Sequence, residues 1–98
     1  MQLNELLAIL EARNREQPEG SYTARLLAAG EDEILKKVGE ETMEVILAAK
    51  GQGDQRLVEE IADLFYHALV LLVARGLTLT DVESELGRRH KVDGSIGR

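Results

Sequence analysis

The sequence predicts an all-α fold, an antiparallel helical hairpin with short flanking helices, and three observations carry that prediction. Apolar residues recur at i, i+3, i+4 and i+7 along most of the chain, the spacing that puts one face of a helix against a core. A single Pro, two Tyr, one Phe and few β-branched residues offer little from which to build strands. Gly and Pro gather at Gln17-Pro18-Glu19-Gly20, Gly30, Gly51-Gln52-Gly53 and Gly76, where they punctuate the periodic runs.

Leu3, Leu6, Leu7 and Leu10 form the stripe of a first helix over residues 3–15, ended by the Gln17-to-Gly20 cluster. Ser21 or Thr23 caps a short second helix carrying Leu26 and Leu27, and Gly30 stops it. The third helix opens on Glu31, Asp32 and Glu33, acids suited to the positive end of the helix dipole, and runs to about Lys50. Its predicted core stripe is Ile34, Leu35, Val38, Val45, Ile46 and Ala49, which centres about 130° around the helix from its acids. Gly39, in mid-helix, costs about 1 kcal/mol relative to Ala; it is a tolerated defect, a close helix contact, or backbone left bare beside a ligand.

Asp54 is the expected N-cap of a fourth helix, about 55–75, with its stripe at Leu57, Ile61, Leu64, Phe65, Ala68, Leu69 and Leu72. From Leu64 onward Val70, Leu71 and Val73 make this helix apolar almost all round, the mark of an enclosed element. In so short a chain a second subunit is expected to do part of the enclosing, most simply as a two-fold bundle of helices three and four. Gly76 closes the fourth helix. Thr80-Asp81-Val82-Glu83 then reads as a capping box for a fifth, with Val82 and Leu86 inward and Gly87-Arg88-Arg89-His90-Lys91 at its end. A frayed tail is expected from about residue 92. Residues 1–98 read as a single domain without internal repeats.

Composition excludes several functions. There is no Cys, hence no disulfide framework, thiolate metal site or Cys nucleophile. The N-terminus lacks a basic, then apolar, leader, and the apolar run from Leu64 to Ala74 is too short to span a bilayer. A cytoplasmic protein with no membrane partner is the expectation. The net charge of −6 argues against nucleic-acid binding, which depends on neutralising phosphates with Lys and Arg. It leaves room for a small phosphorylated substrate if a metal ion or a local basic patch supplies positive charge.

The acids are where chemistry concentrates. Glu40, Glu41 and Glu44 fall within about a 100° arc of the third helix, and Glu60, Asp63 and His67 line up at i, i+3 and i+7 on the fourth. Acids on a helix are ordinarily a solvated face, but like charges at these spacings repel by a few tenths of a kcal/mol. Glu41/Glu44 and Glu60/Asp63 also repeat one spacing on two neighbouring helices, which is one way to build a carboxylate pocket in a bundle. Such oxygens suit Mg²⁺, with substrate phosphates completing its shell. The chain has no His-Glu-x-x-His zinc element and no P-loop, and it offers little aromatic surface for a sugar.

Gly20-Ser21-Tyr22-Thr23, then Lys36-Lys37-Val38-Gly39-Glu40-Glu41-x-x-Glu44, then Glu60-x-x-Asp63-Leu64-x-Tyr66-His67, closely resemble phosphoribosyl-ATP pyrophosphatases across roughly residues 3–91. That family belongs to the all-α nucleotide pyrophosphohydrolases, with the MazG-like and dimeric dUTPase groups. The resemblance implies Mg²⁺-dependent hydrolysis of phosphoribosyl-ATP to phosphoribosyl-AMP and pyrophosphate, the second step of histidine biosynthesis, by in-line attack of a metal-activated water, with Mn²⁺ a substitute ion. It implies Glu41, Glu44, Glu60 and Asp63 as metal ligands, and Glu40 as a further catalytic acid orienting water or a ligand.

Other residues keep two readings. Lys37 either touches a phosphate or pairs with a neighbouring acid. His67 is either a hydrogen-bonded, half-buried His or a substrate or metal-shell contact. Ser21, Tyr22 and Thr23 are helix-start residues that the resemblance also places at the substrate site. Arg88 and Arg89 either stabilise a helix C-terminus or contact phosphate. Two rival functions remain, a MazG-like (d)NTP pyrophosphohydrolase and a non-enzymatic helical dimerisation module.

Overall fold

Five helices follow one another: α1 (Leu3–Glu16), α2 (Tyr22–Ala29), α3 (Glu31–Gly51), α4 (Asp54–Ala74) and α5 (Leu79–Asp93). The structure, a computed structural model, describes residues 1–93, and among them there is no strand. Of the tail expected from about residue 92, Val92 and Asp93 continue α5 and the remainder lies outside the described residues. No helix among the described residues is long and apolar enough to cross a membrane.

Local chemistry explains most boundaries. α1 starts on a capping box in which the Gln2 amide donates to Glu5 Oε1 at 2.8 Å, and it ends at Gln17 in the left-handed region (φ 48°), with Pro18 next. Ser21 caps α2, its hydroxyl accepting from the Ala24 amide at 3.1 Å. The N-cap of α4 is Gly53 rather than Asp54; its φ of +89° is a conformation that L side chains rarely adopt. Asp54 becomes the first helical residue, where its charge meets the positive end of the dipole. The fifth helix is capped two residues earlier than expected. Thr78 and Asp81 exchange bonds, the Thr78 amide to Asp81 Oδ2 at 2.8 Å and the Asp81 amide to Thr78 Oγ1 at 3.3 Å.

α3 and α4 form the long antiparallel hairpin, and α1 and α2 pack across one end of it. The core joins Leu7 and Leu10 of α1, Leu26 of α2, Ile34 of α3 and Leu69, Val70 and Val73 of α4. Each such burial is worth about 1.5–3 kcal/mol. The chain's own α1 and α2 bury Leu69, Val70 and Val73 of the apolar second half of α4, while Phe65 stays exposed.

The α3 stripe also differs from the expected one. Ile34 and Ala48 are buried, yet Leu35 is 46% and Ile46 50% exposed, and Ala49 is exposed as well. On α4, Phe65 and Ala68 are exposed while Glu60 and His67 are buried. Each helix turns a more polar side inward than its hydrophobicity suggested. Glu41, seven residues from both Ile34 and Ala48, therefore sits on the inward face instead of opposite it.

Candidate active site

Glu41 comes from the middle of α3, and Glu60 and Asp63 stand one turn apart in the first half of α4. Antiparallel pairing brings these levels together. Each of the three offers a carboxylate oxygen, and these oxygens lie within 4.8 Å of one another. Glu60 is buried, Glu41 is half-buried and Asp63 is exposed at the mouth. Burial pushes the Glu41 carboxyl above its ordinary value; Asp63, Glu60 and Glu44 push it the same way, and only His67 opposes them. Hard oxygen donors crowded together with excess negative charge are the donor set that a small divalent cation neutralises. Glu44, half-buried one turn along α3, adds to the field at Glu41 but does not join the three within that distance. Glu40 faces solvent, with Lys37 Nζ 3.7 Å from its Oε1.

A residue that the sequence reading passed over meets this cluster. Arg56, one turn before Glu60 on α4, binds Glu60 Oε1 through one guanidinium nitrogen at 2.6 Å and Glu59 Oε1 through the other at 2.9 Å. The i,i+4 spacing to Glu60 was the available signal. Glu59 first, then Glu60 and more weakly Glu44, hold the guanidinium more firmly charged than a free Arg.

Beside the acids stands an aromatic group. His67 is buried; its Nδ1 donates to the Asp63 carbonyl oxygen at 2.8 Å, which leaves Nε2 to accept from the Tyr22 hydroxyl at 3.2 Å in the neutral ring. The Tyr66 ring stands edge-on to His67 with centroids 4.9 Å apart, and its hydroxyl bonds to buried Thr23. Tyr66, part of the sequence motif, links α2 to α4 through this bond. Burial raises the Tyr22 phenol above its usual range, with Lys37 pulling it down and Tyr66, Glu41 and Glu33 pushing it up. Tyr22, 42% exposed, is thus the member of Ser21-Tyr22-Thr23 that opens to solvent beside the acids. Ser21 is occupied as a cap and Thr23 as a buried hydrogen bond.

Arg88 and Arg89 are not drawn into the cluster. Both guanidinium groups bind Glu85 on α5, at 2.6 and 3.0 Å, and Arg88 first, then Arg89, hold its carboxyl down at about 2.

A two-helix hairpin whose arms contribute acids to one buried-to-exposed cluster, flanked by helices that seal one end, defines an all-α protein with a carboxylate cluster able to hold a cation. A family model described as Phosphoribosyl-ATP pyrophosphohydrolase matches residues 3–90. The chain belongs to that family. It is 54% identical over 88 residues to the phosphoribosyl-ATP pyrophosphatase of Limosilactobacillus fermentum, covering 90% of this chain and 83% of that protein. Its identity to the phosphoribosyl-ATP pyrophosphatase of Metallosphaera sedula is 51%, over 91% of this chain and 96% of the other. With that of Trichlorobacter lovleyi it is 50%, over 96% and 87%.

Proposed function

We infer that this protein hydrolyses phosphoribosyl-ATP to phosphoribosyl-AMP and pyrophosphate, the second step of histidine biosynthesis, in the cytoplasm. Family membership supplies the reaction, and the observation that carries it onto these residues is the convergence of Glu41, Glu60 and Asp63 from both arms of the hairpin. These three, with Glu44 as a fourth donor on the same face, would hold Mg²⁺, for which Mn²⁺ substitutes. When bound, the ion supplies positive charge against the phosphates and acidifies the attacking water.

The chain's own residues do the rest. Asp63 and Glu41 line the open side of the pocket, where a triphosphate arm enters, while buried Glu60 forms its floor. His67, fixed at Nδ1 by the Asp63 carbonyl, holds the Tyr22 hydroxyl at the edge of the site, where it can bond to substrate. Lys37, which lowers the Tyr22 phenol, supplies an amine for a phosphate; its weak pairing with Glu40 leaves it free to exchange. Glu40 orients water or ligand from the rim.

The working form is a homodimer. Met43 is 55%, Ile46 50%, Leu47 47%, Val58 61% and Phe65 49% exposed, all on the two hairpin helices. A second hairpin laid across them makes a four-helix bundle and covers apolar surface that a monomer leaves in water. Pyrophosphate release tests the reading: phosphoribosyl-ATP is consumed only with Mg²⁺ or Mn²⁺ present, and dNTPs at equal concentration turn over far more slowly. Faster cleavage of dNTPs would move the protein to the MazG-like activity, and no pyrophosphate from any nucleotide would leave a dimerisation module.

A further inference from the structure

Two rules of helix electrostatics argue against an arginine at position 56, and it is there nonetheless. Arg56 lies in the first turn of α4, where the dipole favours acids, and it precedes its partner Glu60 by four residues, the less stabilising order for such a pair. Helix stability therefore does not account for it. Its contacts do: one edge of the guanidinium lies 2.6 Å from a Glu60 oxygen whose side chain is 6% exposed, while the Arg56 side chain is 49% exposed. A buried carboxylate without a counter-ion is costly, and Arg56 is the cation that reaches it from solvent.

We propose that Arg56 is an exchangeable counter-ion for the acid pocket: it neutralises Glu60 while the pocket holds no divalent cation, yields that carboxylate when the cation binds, and then turns to a phosphate of the substrate. The exposed half of the side chain gives it room to swing, and Glu59 Oε1 at 2.9 Å gives the guanidinium a second anchor at the rim when Glu60 is taken. A planar fork suited to carboxylate oxygens is equally suited to phosphate oxygens. Arg56 is thus a positioning residue toward the cation and a contact toward substrate. The inference rests on the divalent-cation reading of the pocket.

Calorimetric titration of Mn²⁺ into substrate-free wild type, R56Q and R56K tests the first half. Removing a competing cation from a half-exposed pair makes Mn²⁺ bind about threefold more tightly to R56Q, with R56K, which keeps the charge without the fork, in between. The second half is read at saturating Mg²⁺, where KM of R56Q for phosphoribosyl-ATP rises about threefold or more while kcat stays within about twofold. R56Q retains the helical circular dichroism of wild type, since Arg56 packs into no core. Unchanged or weaker Mn²⁺ binding by R56Q, or an unchanged KM, would overturn the proposal. Wild type that neither binds Mn²⁺ nor releases pyrophosphate would remove the pocket reading itself, so the two failures are distinguishable.

Discussion

The two ends of the α3–α4 hairpin are built differently. Where α3 begins and α4 finishes, α1 and α2 close over Ile34, Leu69, Val70 and Val73, and Ile34 and Val70 have no exposed surface at all. Toward the turn, from Met43 round to Phe65, only Ala48 and Glu60 are buried. The acids occupy the boundary between the sealed end and the bare one. The sealed end anchors the helices that carry Glu41 and Asp63, while the bare end leaves the same acids reachable by a charged ligand. A Cα radius of gyration of 15.0 Å, against about 13 Å for a compact chain of this length, reflects the elongated hairpin.

The largest effect separates the boundary from the bare tip. Asp63→Asn and Glu60→Gln each lower kcat/KM by about 10³-fold, about 4 kcal/mol of barrier, with the helical circular dichroism unchanged. Asp54→Asn, an acid at the tip of α4, changes kcat/KM by less than about twofold in the same steady-state assay. Next comes the core. Ile34→Ala at the sealed end costs about 2–5 kcal/mol in urea denaturation, because α1, α2 and α4 cannot all collapse into the space left.

Ile46→Glu at the bare end has a different signature. It leaves helical content intact and shifts the protein from dimer to monomer by light scattering, and a wild type already monomeric at working concentration would show that the bare end has no second copy on it.

Smaller effects sharpen the picture of charge at the boundary. Without metal, the folded protein holds the Glu41 proton more tightly than the ordinary value of 4.5 for the unfolded chain. The resulting penalty is absent below 4.5 and complete above the folded value, so stability falls as pH rises between them. Glu41→Gln removes the penalty. Its Tm in EDTA exceeds that of wild type at neutral pH, and the difference vanishes on acidification below 4.5. Glu85 has the opposite sign. Its pairing with Arg88 and Arg89 contributes fully above 4.5 and is lost as pH falls toward about 2, seen as loss of the pH dependence of helicity in Glu85→Gln.

How legible this was depends on the element. The five helices, and their ends to within a residue or two, follow from leucine spacing and glycine punctuation, because those signals are local. Glu41, Glu60 and Asp63 are readable as neighbours from spacing on two adjacent helices, whereas Glu44, which completes the repeated spacing, stays outside the three. Which face of α3 turns inward was not. Leu35 and Ile46 look like core by hydrophobicity, and hydrophobicity alone does not distinguish a covered face from one awaiting cover. Arg56 was overlooked because a cation near the start of a helix reads as surface until buried Glu60 is seen behind it. The Thr78 cap went to Thr80 because both threonines have an acid three residues on, and only geometry selects between them.

The claim beneath all of this is that carboxylates from α3 and α4 close on one divalent cation. Crystals soaked in Mn²⁺ and measured for anomalous scattering test it most directly. A manganese peak is expected within coordination distance of Glu41 on one arm and of Glu60 and Asp63 on the other. A peak touching one arm alone, or manganese bound only at the exposed Glu40 rim, would contradict it.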